Sequence, residues 1–154
     1  IKNFDCTQIV KIKCLKCERS IMLSRIEDLL NRNETFSIET TLATKSYINL
    51  IRKAHDKGYC VHLIFFWLET PELAIQRVAE RVSNGGHNIP TDVIQRRYIA
   101  GIKNMFNLFM KEVDLWAIYD NSRNPRAIIA SGGKTVDFKI YSEITYNKIK
   151  NYVK

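Results

Sequence analysis

No apolar run in this 154-residue chain is long enough to cross a membrane; the longest, Val61 to Leu68, is strand-sized and contains His62. No long apolar segment opens the chain, so no secretory signal is read and a cytoplasmic protein is expected. Cysteine is sparse: Cys6, Cys14, Cys17 and Cys60. Only Cys14 and Cys17 form a Cys-x-x-Cys pair, whereas a structural zinc site usually takes two such pairs, so no metal ligands are assigned. Reduced thiols are the default in the cytoplasm, and Cys60, in an apolar run, reads as core. Repeats, low-complexity tracts and linkers are also missing, and the length suits one domain over residues 1–154. The chain opens on Ile1 rather than Met, which leads us to expect a fragment or a processed product. Acidic residues are outnumbered: 24 Lys and Arg against 16 Asp and Glu leave a net charge of +8. That balance favours anionic partners, whether nucleotides, sugar phosphates, nucleic acid or an acidic protein, without choosing among them.

What is present reads as alternating helices and strands. Residues 17–31 have helical periodicity, with Met22, Ile26, Leu29 and Leu30 near one face. Residues 36–42 alternate like a strand. A helix is expected over 45–57, carrying Ile48, Ile51 and Ala54 on a stripe, with Gly58 as its stop signal. Residues 59–68 form a nearly continuous apolar, β-branched run, the pattern of a strand buried on both faces of a parallel sheet. Thr70 and Pro71 then mark a helix start running to about Val82. A long helix follows over 91–111, with Ile94, Tyr98, Ile102, Met105 and Phe109 facing inward. Strands are expected at 115–119, 126–130 and 136–140, and a closing helix over 141–153. The predicted class is α/β, with a parallel sheet in three layers.

The segment from Arg77 to Arg97 carries the most chemistry. Two helical stretches bearing arginines flank Gly85 and Gly86, followed by His87, Asn88, Ile89 and Pro90. Arg77 and Arg81 are four apart and share a face; Arg96 and Arg97 lie about one turn into the next helix. Guanidinium forks match phosphate oxygens and stabilise charge in phosphoryl transfer, so a glycine hinge between such helices suits a grip on a polyphosphate. The competing reading is a solvated helix pair. His87 either contacts that phosphate or caps the loop.

Ligands of parallel sheets gather at the carboxyl ends of strands. Glu39, Thr40 and Thr41 close the first expected strand and suit orientation of a hydroxyl-bearing substrate; alternatively a threonine caps the next helix. Asp120, Asn121 and Ser122 end another strand, as a plain turn or as a loop touching a nucleotide base. Gly132, Gly133, Lys134 and Thr135 imitate the end of a P-loop, but the glycine required five residues before Gly133 is Ile128, and a strand rather than a helix follows. That match is rejected.

The string 37–42, then 58–63, the Arg77 to Arg97 block with its Gly-Gly-His-x-Ile-Pro, and 119–122, in that order, resembles the zeta toxin family. More closely, it resembles the stand-alone zeta-like P-loop kinases of bacteria, over about residues 21–133. The resemblance implies a P-loop nucleotide-kinase-like fold using ATP and magnesium. It also implies a small-molecule substrate, UDP-N-acetylglucosamine in the characterised toxins, and an antitoxin as partner. It places Glu39, Thr40 and Thr41 at the substrate; His87, Asn121 and Ser122 are the nucleotide-side candidates from the loop readings above. Arg81 with Arg97 or Arg96 falls on the transferring phosphate. Arg97 is preferred because Gly101 leaves room one turn on and Arg96 can pair with Asp92. Family members begin with a strand and a Gly-rich P-loop; none precedes Cys17, so the kinase domain is read as N-terminally incomplete, with weak ATP binding expected of this chain alone. Asn3-Phe4-Asp5 is the candidate remnant of the motif whose aspartate serves as general base, which makes Asp5 the candidate base. Two rival readings are a catalytically inactive relative acting as a binding module and a nucleic-acid-binding domain. The second lacks an RNA-binding aromatic signature, since most aromatics fall on apolar stripes.

Overall fold

The computed structural model describes residues 18–153; Asp5, Cys6, Cys14, Cys17 and the basic stretch 11–16 lie outside them. Two compact units make up the chain, Ile1–Thr40 and Thr41–Lys154. In the first, helix α1 spans Glu18–Asn31 and buries Ile26 and Leu30. Its end is a Schellman cap: Glu34 N–H donates to the Leu29 carbonyl at 3.0 Å, with Asn33 in the left-handed region at φ 55°. Residues 34–40 then run without regular structure. The expected strand over 36–42 is therefore absent. Alternation of side chains offers a face, but a strand also needs a neighbour for its backbone groups, and no described strand pairs with this segment.

In the second unit the order is α2 (Tyr47–Asp56), β1 (His62–Trp67), α3 (Pro71–Ser83) and α4 (Thr91–Asn104). A π-helical segment (Met105–Phe109) and α5 (Met110–Glu112) continue α4. Then come β2 (Leu115–Asp120), β3 (Ala127–Gly133), β4 (Lys139–Ile140) and α6 (Glu143–Asn151). Gly58, at φ 81°, ends α2 as its spacing suggests. The expected long helix over 91–111 forms, but with a widened π turn inside it.

The four strands lie in the order β1-β2-β3-β4. Only β1 and β2 are parallel; β2–β3 and β3–β4 are antiparallel, so the sheet is mixed and not the expected parallel one. Connection length explains the difference. The path from β1 to β2 contains α3 and α4, enough for a crossover. Only six residues separate β2 from β3 and five separate β3 from β4, and links that short force the chain to double back. The strand expected to be buried on both faces is also corrected: β1 is an edge strand among the described strands, and its Ile64 and Phe66 are 57% and 48% exposed. Cys60, expected in the core, is exposed and precedes β1.

The core of this unit gathers Trp67, Ile118, Ile129 and Ala130 from the strands, Ile102, Met105 and Phe109 from the long helix, and Ile149 from α6. Each large side chain fully buried in this way stabilises the fold by about 2 kcal/mol. At the amino end of the parallel pair, Asp114 forms a polar knot. It accepts from Val61 N–H at 2.7 Å, meets His55 Nε2 at 2.9 Å and pairs with Lys134 at 3.1 Å. Burial pushes its carboxyl up, but these hydrogen bonds outweigh that and hold it at about 2. Lys134 is thus spent on Asp114, and Gly133 lies in a strand, as rejection of the P-loop match requires.

Candidate functional site

Helix α3 starts as its sequence dictates: Pro71 occupies the first turn and Thr70 Oγ1 accepts from Leu73 N–H at 3.2 Å. Its end decides the character of the expected hinge. Gly85 sits at φ 85° and donates to the Val82 carbonyl, while Gly86 N–H donates to the Arg81 carbonyl at 2.9 Å. A Cβ on Gly86 would stand 2.7 Å from the Arg81 carbonyl oxygen. The glycine pair is a Schellman cap that folds the chain back on the last turn of α3, rather than a loose joint. It fixes Arg81 at the helix end with an exposed side chain. His87 is exposed in the loop that follows, and Arg96 and Arg97 are exposed on α4. Among the described residues none of these three arginines makes an ion pair, and the expected pairing of Arg96 with Asp92 is not formed.

Helix α4 also carries a docking point for the chain near Thr41. Gly101 admits the Thr41 backbone: a Cβ there would lie 2.4 Å from the Thr41 carbonyl oxygen. Three residues on, Asn104 Nδ2 donates to the Leu42 carbonyl at 2.7 Å. Leu42 itself is buried and held at φ 54°, a conformation that a leucine adopts only when its surroundings enforce it. Gly101 follows Arg97 by one helical turn on the same face. The room at Gly101 expected beside Arg97 is therefore occupied by the Thr41 backbone, which brings Thr41, expected at the substrate, onto the helix that carries Arg97, expected at the phosphate. Neither Thr40 nor Thr41 caps α2; Ser46 holds that position.

The third element is the loop after β2. Asp120 Oδ1 accepts from Ser122 N–H at 2.8 Å, which turns the chain sharply at the end of β2. Ser122 Oγ in turn accepts from Glu69 N–H at 2.8 Å, and Asn121 N–H donates to the Trp67 carbonyl at 2.8 Å, which fastens the loop to the end of β1. Arg77 donates to the Asn121 carbonyl at 2.5 Å, and Arg126 Nε donates to Asn121 Oδ1 at 2.7 Å. Arg77 is therefore a brace for this loop and not a partner of Arg81. The loop, which contains a cis Asn124–Pro125 bond, borders an open cleft of about 780 Å³ lined by Arg77, Asn121, Ser122, Arg123, Asn124 and Arg126. Neither Arg81 nor Arg97 lines it.

The model of the zeta toxin family matches residues 19–134, three quarters of the chain. The chain belongs to the zeta toxin family. It is also similar to an uncharacterised protein of Haemophilus influenzae (strain ATCC 51907 / DSM 11121 / KW20 / Rd), at 35% identity over 63 residues. That stretch covers 41% of this chain and 45% of that relative, so the chain spans under half of that protein's length. No solved structure matches. Among the described residues no helix is long and apolar enough to cross a membrane.

Sequence reasoning singled out Arg81, Arg96 and Arg97 within one block and Thr41 within another; it did not single out Asn104, Arg123 or Arg126. A buried asparagine on an apolar helix stripe is the signal that points to Asn104. Arg123 and Arg126 follow Asn121 within five residues, but two loop cations beside a strand end carry no signal of a cleft by themselves.

Proposed function

We propose that this chain supplies the phosphate-gripping and substrate-positioning parts of a kinase of the zeta toxin type. The reaction transfers phosphate from ATP to a hydroxyl of a small substrate, with nucleotide sugars such as UDP-N-acetylglucosamine as the candidate class. The observation that carries the reading is the family match across the α3–loop–α4 block together with the exposed, unpaired state of Arg81 and Arg97. In this reading Arg81 and Arg97 spread over the transferring phosphate and offset its developing charge. His87 contacts the phosphates from the loop. Arg97 is preferred to Arg96 because it shares its face with Gly101, where the Thr41 backbone docks. Thr41, with Glu39 and Thr40, positions the substrate hydroxyl, and Asn121 and Ser122 face the nucleotide. Asp5, outside the described residues, is the candidate general base.

The polar, cationic cleft suits part of a nucleotide. ATP would bring the phosphoryl group itself, with magnesium to neutralise it. Among the described residues no three His, Cys, Asp or Glu side chains stand close enough to hold a cation, so no step is placed on one. A protein of this type works in the cytoplasm, under restraint by an antitoxin.

Transfer of the terminal phosphate of ATP to small hydroxyl compounds, UDP-N-acetylglucosamine among them, tests the reading in the intact protein. Arg81→Ala should lower turnover by at least about 100-fold, as loss of a phosphate-stabilising arginine does. The thermal midpoint should stay put. Unchanged turnover, or a variant that no longer folds, would sink the assignment.

A further inference from the structure

The cleft beyond β2 holds three guanidinium groups and no carboxylate to match them. Arg77, Arg123 and Arg126 all line it. Among the described residues, none of the three forms an ion pair. Two acids on the flanking elements point to other partners. Asp120 turns back to its own loop and accepts from Ser122 N–H, and Glu69 pairs with Lys148 at 3.1 Å. Positive charge is therefore concentrated along the lining of the cleft, and no ion pair among the described residues offsets it.

The three arginines are not equivalent. Arg77 and Arg126 each spend one donor on Asn121, so their heads are held in place by the loop they brace. Arg126 is further fixed by lying over the Phe66 ring, 5.0 Å from its centroid. A guanidinium has five N–H donors, so both keep most of their capacity. Arg123 is exposed and makes no hydrogen bond or ion pair among the described residues. Two pre-positioned cations and one uncommitted one, with the amides of Asn121 and Asn124 beside them, make a surface for a multiply charged oxyanion.

We propose that this cleft binds a phosphate-bearing ligand through charge, with Arg123 closing on a phosphate that Arg77 and Arg126 help to hold. The ligand class is a nucleotide or another phosphoester. The proposal deepens the reading of Asn121 and Ser122 as nucleotide-facing residues and rests on it for the ligand's identity. It differs in the group recognised: a phosphate rather than the edge of a base. The site is distinct from the exposed pair Arg81 and Arg97, which does not border the cleft.

Calorimetric titration of the chain with ATP, pyrophosphate and adenosine separates the cases. ATP and pyrophosphate should both bind, and adenosine should bind at least tenfold more weakly. Arg123→Ala should weaken pyrophosphate binding about tenfold, and Arg123→Lys should restore part of it. Raising the salt concentration should weaken the wild type more steeply than Arg123→Ala. Adenosine binding as well as ATP, with Arg123→Ala indifferent, would overturn the proposal in favour of a base pocket. So would pyrophosphate that fails to bind, or that binds Arg123→Ala as it binds the wild type. Binding as expected from a protein that transfers no phosphate would instead retain this site and remove the kinase reading.

Discussion

The two ends of the parallel strand pair treat charge in opposite ways. At the amino end, Asp114 sits among Val61 N–H, His55 and Lys134, and every strong group in the knot has a partner. At the carboxyl end, Arg77, Arg123 and Arg126 line one cleft and, among the described residues, form no ion pair. Charges satisfied inside the protein hold strands in register. Cations left unanswered cost little while solvated, and they gain most when a ligand brings the missing negative charge. The same strands thus have a closed electrostatic end that supports the fold and an open one that suits a ligand.

Substitutions at the two ends should therefore separate stability from activity. The largest effect is expected on the open side. Arg97→Ala should lower phosphotransfer by about 100-fold or more while leaving the melting curve in place. A lowered midpoint with proportionate loss of activity would make Arg97 structural and erase the contrast.

Asp114→Asn should do the reverse. It should cost about 2 kcal/mol of stability, read by urea unfolding, with turnover at saturating substrate retained. The pH dependence has a definite sign. The folded carboxyl lies at about 2, below its ordinary 3.8. Its contribution is therefore complete above the ordinary value and fades as pH falls from about 4 towards about 2. In the Asn variant this part of the acid destabilisation should vanish. If it persists, Asp114 is not the group that titrates.

The smallest effect tests the link between Thr41 and α4. Asn104→Ala should cost about 1 kcal/mol through loss of the bond to the Leu42 carbonyl. It should raise KM for the hydroxyl substrate more than it lowers kcat, because it loosens the segment that carries Thr41. An effect on stability alone would confine Asn104 to packing.

Periodicity and stop signals made most helices legible. Of the expected stripe, Ile94, Ile102, Met105 and Phe109 are buried and Tyr98 is half-buried against the core, and Gly58 and Gly85 both sit in the left-handed region at helix ends. The segment 36–42 was misleading, because alternation describes a strand's faces and says nothing about a neighbour. The buried look of β1 misled for a related reason: apolar composition does not tell an edge position from a central one. Within the candidate site, Arg81, Arg97 and Thr41 were readable as members of a family block. Arg123 and Arg126 were not, because a charged loop residue becomes informative only when its acidic neighbours are known to be engaged elsewhere.

The sequence by itself determined membership of the zeta toxin family, the helix positions and the excess of positive charge. These are properties of local spacing and of totals. Only the tertiary structure decided that the sheet is mixed, that Gly101 makes room for the Thr41 backbone, and that one end of the strand pair balances its charges while the other does not. Those features depend on which distant groups meet, and the free energy of a charge or a close contact is set by its neighbours in space.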